Sequence, residues 1–206
     1  MPKRIIGVSA RLLDCAKEEF LEKGFQNASI REIAKKADTS PRAVYTRFPN
    51  KEGLFDAIVE PVVDGFIDLY QKFGDTFWSE HKGAMSVPHF SADPNAVYIE
   101  MMDYIYDHAD TFKLAMGCLE GSRYVAMIEK VTSINSGFLE QFAEMRKENI
   151  GNFDVMLKVL HMLTHSFYTA LFEPIRHDMS REDARFYVIK LCNFFVCGIQ
   201  GLNLVQ

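Results

Sequence analysis

The sequence reads as an all-α protein of about nine helices, with a small N-terminal group of three and a larger helical part behind it. Apolar residues recur at spacings of three and four along almost the whole chain, the period of a helix. Cap residues stand directly before first-turn prolines at Ser40-Pro41 and Asp93-Pro94, a helix-start signature. Apolar residues make up 48% of the 206, ample for a core, and there is no internal repeat or low-complexity tract.

The first helix, roughly Arg4 to Lys23, turns Ile6, Ala10, Leu13, Ala16 and Phe20 inward, and Gly24 ends it. Ser29-Ile30-Arg31-Glu32 has the form of a capping box, in which the serine hydroxyl accepts from the amide of Glu32 and the carboxylate reaches back to the amide of Ser29. It opens a short helix to about Ala37, with Ile30, Ile33, Ala34 and Ala37 inward. Asp38-Thr39 makes a tight turn, and Ser40 caps a third helix whose first position is Pro41, where a missing N–H is harmless. Pro49 pushes Phe48 out of helical conformation, so the third helix has about two turns. Asn50 caps a fourth, running to about Trp78 with a bend expected at Pro61. Residues 79 to 94 hold two prolines and little periodicity and read as a loop. Helices follow over about 94–108, 111–120 (closed by Gly121) and 123–148 (opened by Ser122). The last two, the most apolar, span about 153–172, between an Asn152 cap and Pro174, and 181–203, opened by Ser180-Arg181-Glu182-Asp183.

The formal charge of −5 conceals a split: residues 1–55 carry a net +4 and the remainder −9. The basic part is the candidate for phosphate contacts. Of 26 aromatic residues, 21 lie after residue 55, so the second part encloses something or is enclosed. Cys15, Cys118, Cys192 and Cys197 show no CxxC spacing, and Arg11 and Asp14 interrupt any leader-like apolar run. Reduced thiols and a cytoplasmic location are expected. No apolar run reaches the roughly 20 residues of a membrane span; those near the C-terminus are broken by Lys190, Asn193 and Gln200.

Helices 29–37 and 41–48, joined by a short turn and with the second cationic, form a helix-turn-helix. Val44 and Phe48, four apart, pack inward and leave Tyr45 and Thr46 to solvent or to DNA, where such a helix fits the major groove. Lys51 stands in the first turn of a helix, where a cation opposes the dipole. A bound phosphate there is held by lysine and free amides together. Against this, any helical bundle contains short capped helices and surface lysines.

Residues 9–55, above all SIREIAKKADTSPRAVYTRFPNKEGLF, resemble the N-terminal domain of the tetracycline-repressor (TetR) family, in which a Phe-Pro-x-Lys-Glu-x-Leu-Phe segment follows the recognition helix. Asp38 stands where the family usually has glycine, tolerable because aspartate visits left-handed conformations. Pro41-Arg42 replaces the more usual Lys-Gly or Arg-Gly and leaves the operator sequence open. The resemblance implies that Ser29, Thr39, Ser40, Arg42, Tyr45, Thr46 and Lys51 touch DNA, mostly at phosphates, with Pro41, Ala43 and Arg47 completing the surface. It implies domains at 1–50, for DNA, and 51–206, for ligand binding and dimerisation. The function implied is a homodimeric repressor released from a pseudo-palindromic double-stranded operator by a small apolar or aromatic effector. An activator of the same fold, or a helical small-molecule-binding protein or enzyme without DNA binding, is the alternative.

The last two helices are apolar on two sides. Phe153, Met156, Leu157, Leu160, Leu163, Phe167 and Leu171 line one side of the first, with Val155, Val159, Met162 and Ala170 off it. A helix apolar on two sides is buried on two sides, by its own chain or by a partner. The expected homodimer contact comprises Met156, Leu160, Leu163, Phe167, Tyr187, Leu191, Phe194, Phe195, Gly198 and Leu202. Between the two parts lie Phe66, Tyr70, Met101, Met102, Ile105, Phe112, Met116, Tyr124 and Met127, ordinary core residue by residue. As a region the resemblance makes them an effector site, with Glu120 and Arg123 as polar anchors or helix-end caps. His161 and His165 have a metal-compatible spacing but HMLTH lacks the HExxH glutamate and a third ligand. No metal, cofactor or catalytic constellation is expected.

Overall fold

The computed structural model describes residues 3–80, 94–117, 123–144 and 147–202. Among them are ten α-helices and no strand: α1 (Lys3–Asn27), α2 (Ile30–Lys36), α3 (Pro41–Arg47), α4 (Lys51–Glu80), α5 (Pro94–Asp107), α6 (Ala109–Gly117), α7 (Arg123–Glu144), α8 (Phe153–Ala170), α9 (Glu173–Arg176) and α10 (Arg181–Gly201), with a 3-10 turn at Lys147–Asn149. The expected loop from 79 begins two residues inside α4, and 81–93 lie outside the described residues. The helix that sequence reading omits is α9: Pro174, expected as a stop, occupies the first turn of this short helix, where its missing N–H is harmless.

The described chain forms two compact units, Met1–Asp64 with His108–Tyr124, and Gly65–Asp107 with Val125–Gln206. In the first unit α6 joins α1. There Phe112, Leu114 and Ala115 are buried and Lys17 approaches Asp110 at 3.9 Å.

In the first unit the inward side of α1 is Leu12, Ala16, Glu19 and Phe20; Ala10, expected inside, is exposed and Leu13 is half-buried. The helix breaks at Gly24, whose φ of 72° and ψ of 162° suit glycine. This lets Phe25 close a ring cluster with Phe20 and Phe55, at centroid distances of 5.1 to 5.8 Å. Each such pair contributes about 0.5–1.5 kcal/mol beyond area burial.

Asp38, at φ 54°, ends α2: its N–H bonds the carbonyl of Lys35, and the next N–H, of Thr39, bonds that of Ala34. This is a Schellman closure with aspartate in the left-handed position. The same arrangement ends α9, with Asp178 at φ 50° and Met179 N–H bonded to Pro174 O. Asp38→Gly removes both the left-handed strain and a negative charge from a helix C-terminus. It is expected to raise stability in urea unfolding by about 0.5–1 kcal/mol, whereas Asp38→Val lowers it by about 1–2 kcal/mol.

In the second unit α5 and α10 run antiparallel, bolted by a ladder of ion pairs. Arg185 grips Asp103 in two bonds of 2.7 and 2.8 Å, and Arg181 pairs with Asp107. Ser180 caps α10 by accepting from Asp183 N–H at 3.1 Å, and Tyr106 donates to the carbonyl of Met179 at 2.9 Å.

Candidate nucleic-acid interface

The recognition candidate is α3, and the residues beside it explain why seven residues stay helical. Ser40 Oγ accepts from Ala43 N–H at 3.1 Å, Pro41 supplies the first turn, and Phe48 leaves the helix at φ −126°. Val44 is fully buried and anchors the helix, while Phe48 is half-buried. Pro41, Arg42, Tyr45, Thr46 and Arg47 are exposed, Tyr45 by 51%, and Ala43 is half-buried. Thr46 Oγ1 donates back to Arg42 O at 2.8 Å and Arg47 Nη1 to Ala43 O at 3.1 Å, so both side chains lie along the helix.

α2 is placed by a group that the sequence hid. Glu19 is only 3% exposed; its carboxylate accepts from Lys36 Nζ at 2.8 Å and lies 3.5 Å from the Ser29 amide. The Lys36 ammonium is raised above its ordinary value by that hydrogen bond. The expected capping box does not form: Ser29 makes no side-chain cap bond. The remote carboxylate faces its amide in place of Glu32, which remains exposed. A buried acid at position 19 falls on the apolar side of α1, the one available signal for its role.

Lys51 also differs from expectation. Its ammonium donates to the carbonyls of Gln26 and Ala28 at 2.9 and 3.3 Å and lies 4.9 Å from the Phe25 ring centroid. The misfit of a cation at a helix start is answered by carbonyls at the end of α1, with Asn50 Oδ1 capping α4 through Gly53 N–H at 2.7 Å. Thr39 and Ser29 are half-buried, and Ser40 is exposed beside them.

The other expected residues divide by unit. Phe66, Tyr70, Met101, Met102, Ile105 and Met127 are buried in the second; Phe112, Tyr124 and half-buried Met116 are in the first. Glu120 and the side chain of Arg123 lie outside the described residues. In α8 and α10, Leu160 and Phe167 are enclosed by their own chain, so they are corrected to core. Met156, Leu163, Tyr187, Leu191, Phe195 and Leu202 are half-buried, and Phe194 and Gly198 are exposed. The outward apolar residues also include Val155, Met162 and Phe186, the other side of each helix. His161 and His165 are exposed, with Ser136 Oγ 3.2 Å from His161 Nδ1. No described helix is long and apolar enough to cross a membrane.

Two short helices, the second capped, about two turns long and presenting Arg42 and Tyr45, have the arrangement of a helix-turn-helix. Residues 12–58 match the family described as bacterial regulatory proteins, tetR family. The match to this family is confined to the N-terminal part of the chain. An uncharacterized HTH-type transcriptional regulator of Bacillus subtilis, YvdT, is 38% identical over 68 residues, 33% of this chain and 35% of YvdT. The HTH-type transcriptional regulator UidR of Escherichia coli is 43% identical over 49 residues, 24% of this chain and 25% of UidR. The chain thus spans about a third of the length of YvdT and a quarter of that of UidR. In fold it is similar to a TerR/AcrR-family transcriptional regulator from Aquifex aeolicus, with a TM-score of 0.65 at 20% identity over 91% of this chain and 99% of that one. It is likewise similar to the TetR-family regulator PfmR from Thermus thermophilus, with a TM-score of 0.59 at 17% identity over 88% and 96%.

Proposed function

We propose that this protein is a homodimeric repressor that leaves a pseudo-palindromic operator when a small apolar or aromatic effector binds its second unit. The observation carrying the DNA end is α3, anchored by Val44 and capped by Ser40, with Arg42, Tyr45 and Thr46 turned outward. Supporting the dimer are the outward apolar residues of α8 and α10, adjacent helices of the same unit. Two recognition helices on one DNA face are spaced by about 34–36 Å, one helical turn. A few ångströms of change in that spacing forfeits contacts. Helix α4 carries Pro61 in its interior, where one helical hydrogen bond is missing, and is the hinge in this reading.

Gel shift on duplexes from around its own gene tests the reading. Specific binding is expected to fall steeply with salt, because lysine and arginine displace counterions from phosphates. Tyr45→Ala is expected to weaken it roughly tenfold with stability changed by less than about 0.5 kcal/mol. Lys51→Ala is expected to lose binding and also about 1–2 kcal/mol of stability, since its ammonium ties the start of α4 to the end of α1. Binding indifferent to Arg42, Tyr45 and salt alike defeats the assignment. Derepression of a reporter on deletion of the gene distinguishes a repressor from an activator.

A further inference from the structure

A run of neutral polar groups crosses the otherwise apolar core of the second unit. Tyr168 donates to the hydroxyl of Tyr70 at 2.6 Å, Tyr70 donates to Oδ1 of Asn135 at 2.8 Å, and Nδ2 of Asn135 reaches Thr164 Oγ1 at 3.5 Å. Tyr98 adds a third buried phenol, and burial raises all three well above the ordinary tyrosine range, so they stay protonated. Three and four residues before Asn135 and Ser136, on the same side of α7, Thr132 is fully buried and its hydroxyl has no hydrogen-bond partner among the described residues. The fold gains nothing from that hydroxyl: an unpaired buried donor is destabilising, and valine has the same shape without it. Among the described residues of this unit no Asp, Glu, Lys or Arg is buried.

We propose that Thr132 and Asn135 recognise the effector, and that the effector is an uncharged molecule with an aromatic body and a carbonyl or hydroxyl oxygen. This rests on the effector-released reading above. A carboxylate or ammonium carried into this interior meets no buried Asp, Glu, Lys or Arg among the described residues, and a buried unpaired charge is strongly disfavoured. An oxygen acceptor instead accepts a hydrogen bond from the Thr132 hydroxyl and another from the amide of Asn135. The aromatic body matches a cluster of edge-to-face rings, Tyr70 on Tyr168 at 5.3 Å and Phe167 on Tyr168 at 5.2 Å.

One skeleton in three charge states tests this: acetylnaphthalene, naphthoate and naphthylmethylammonium, each titrated against the full chain by thermal shift and by competition with the operator complex. Acetylnaphthalene is expected to raise Tm in proportion to the logarithm of its concentration, and the two ions are not. Thr132→Val is expected to fold with an unchanged or higher Tm and to bind acetylnaphthalene at least tenfold more weakly, while Thr132→Ser retains most of the affinity. A shift from naphthoate as large as from the ketone overturns the proposal, as does unchanged affinity in Thr132→Val, or no shift by acetylnaphthalene up to its solubility. If the ketone binds with this dependence on Thr132 but leaves the operator complex intact, the recognition chemistry stands and the release reading fails.

Discussion

Phe194→Glu is expected to yield a folded monomer that no longer holds its operator. Phe194 is 73% exposed in the isolated chain, so its own fold loses little when the ring goes. Tyr187, Gly198 and Gly201 follow the same side of α10, while Ala184, Val188, Cys192 and Ile199 face the core. In a two-fold dimer the substitution acts twice: each buried phenylalanine is worth about 1.5–3 kcal/mol, and each glutamate is desolvated against an apolar partner surface. A loss of about 3–6 kcal/mol of association follows, at least a hundredfold in dimer affinity. Light scattering and sedimentation at micromolar concentration, with circular dichroism for the fold, measure it. Leu160→Ala is the contrast. Leu160 is 2% exposed and packs with Ala143 and Ile199, so its truncation is expected to cost about 2–5 kcal/mol of folding without moving the oligomeric state of the folded protein. If Phe194→Glu remains dimeric, the interface lies elsewhere.

Glu19→Ala is expected to have the second large effect, on stability and DNA binding together. The carboxylate is enclosed, receives the Lys36 ammonium at 2.8 Å and faces the first amide of α2. Removal leaves that amide and the ammonium without it. Lys36 is 37% exposed and recovers part of its hydration, so the cost stays at about 1.5–3 kcal/mol rather than the larger figure for a fully buried pair. For a domain of this size that corresponds to several degrees in Tm. Operator affinity is expected to fall further than the stability loss alone requires, because α2 positions α3. Differential scanning calorimetry beside gel shift separates the two, and an unchanged Tm in Glu19→Ala removes the carboxylate from this role.

Much of the N-terminal site was legible because its signals are local. Ser40-Pro41 and Phe48-Pro49 bound α3 through steric and capping rules that act within a few residues, and Val44 had one side to bury. The Ser29 box failed for the opposite reason: a carboxylate ten residues away in sequence won over one three residues away, and no local pattern encodes that approach. Lys51 stands out in the sequence as a cation at a helix start, and the carbonyls that its ammonium meets lie 23 and 25 residues earlier. In the C-terminal helices the doubly apolar pattern was visible, yet a period of 3.6 marks two sides without saying which is inward. Leu160 and Phe167 were assigned outward and lie in the core, while Val155, Met162 and Phe186 face out.

By itself, then, the sequence determined the helical class, most helix starts and stops, and a short, capped, basic α3, since these depend on backbone sterics and short-range hydrogen bonds. Only the tertiary structure decided which side of α8 and α10 is core, that Glu19 braces α2 and Lys51 ties the start of α4 to the end of α1, and that Tyr70, Asn135 and Tyr168 join across 65 and 98 residues of chain. Those outcomes depend on which surfaces meet when the chain closes on itself, and long-range contact leaves no mark in the local spacing of residues.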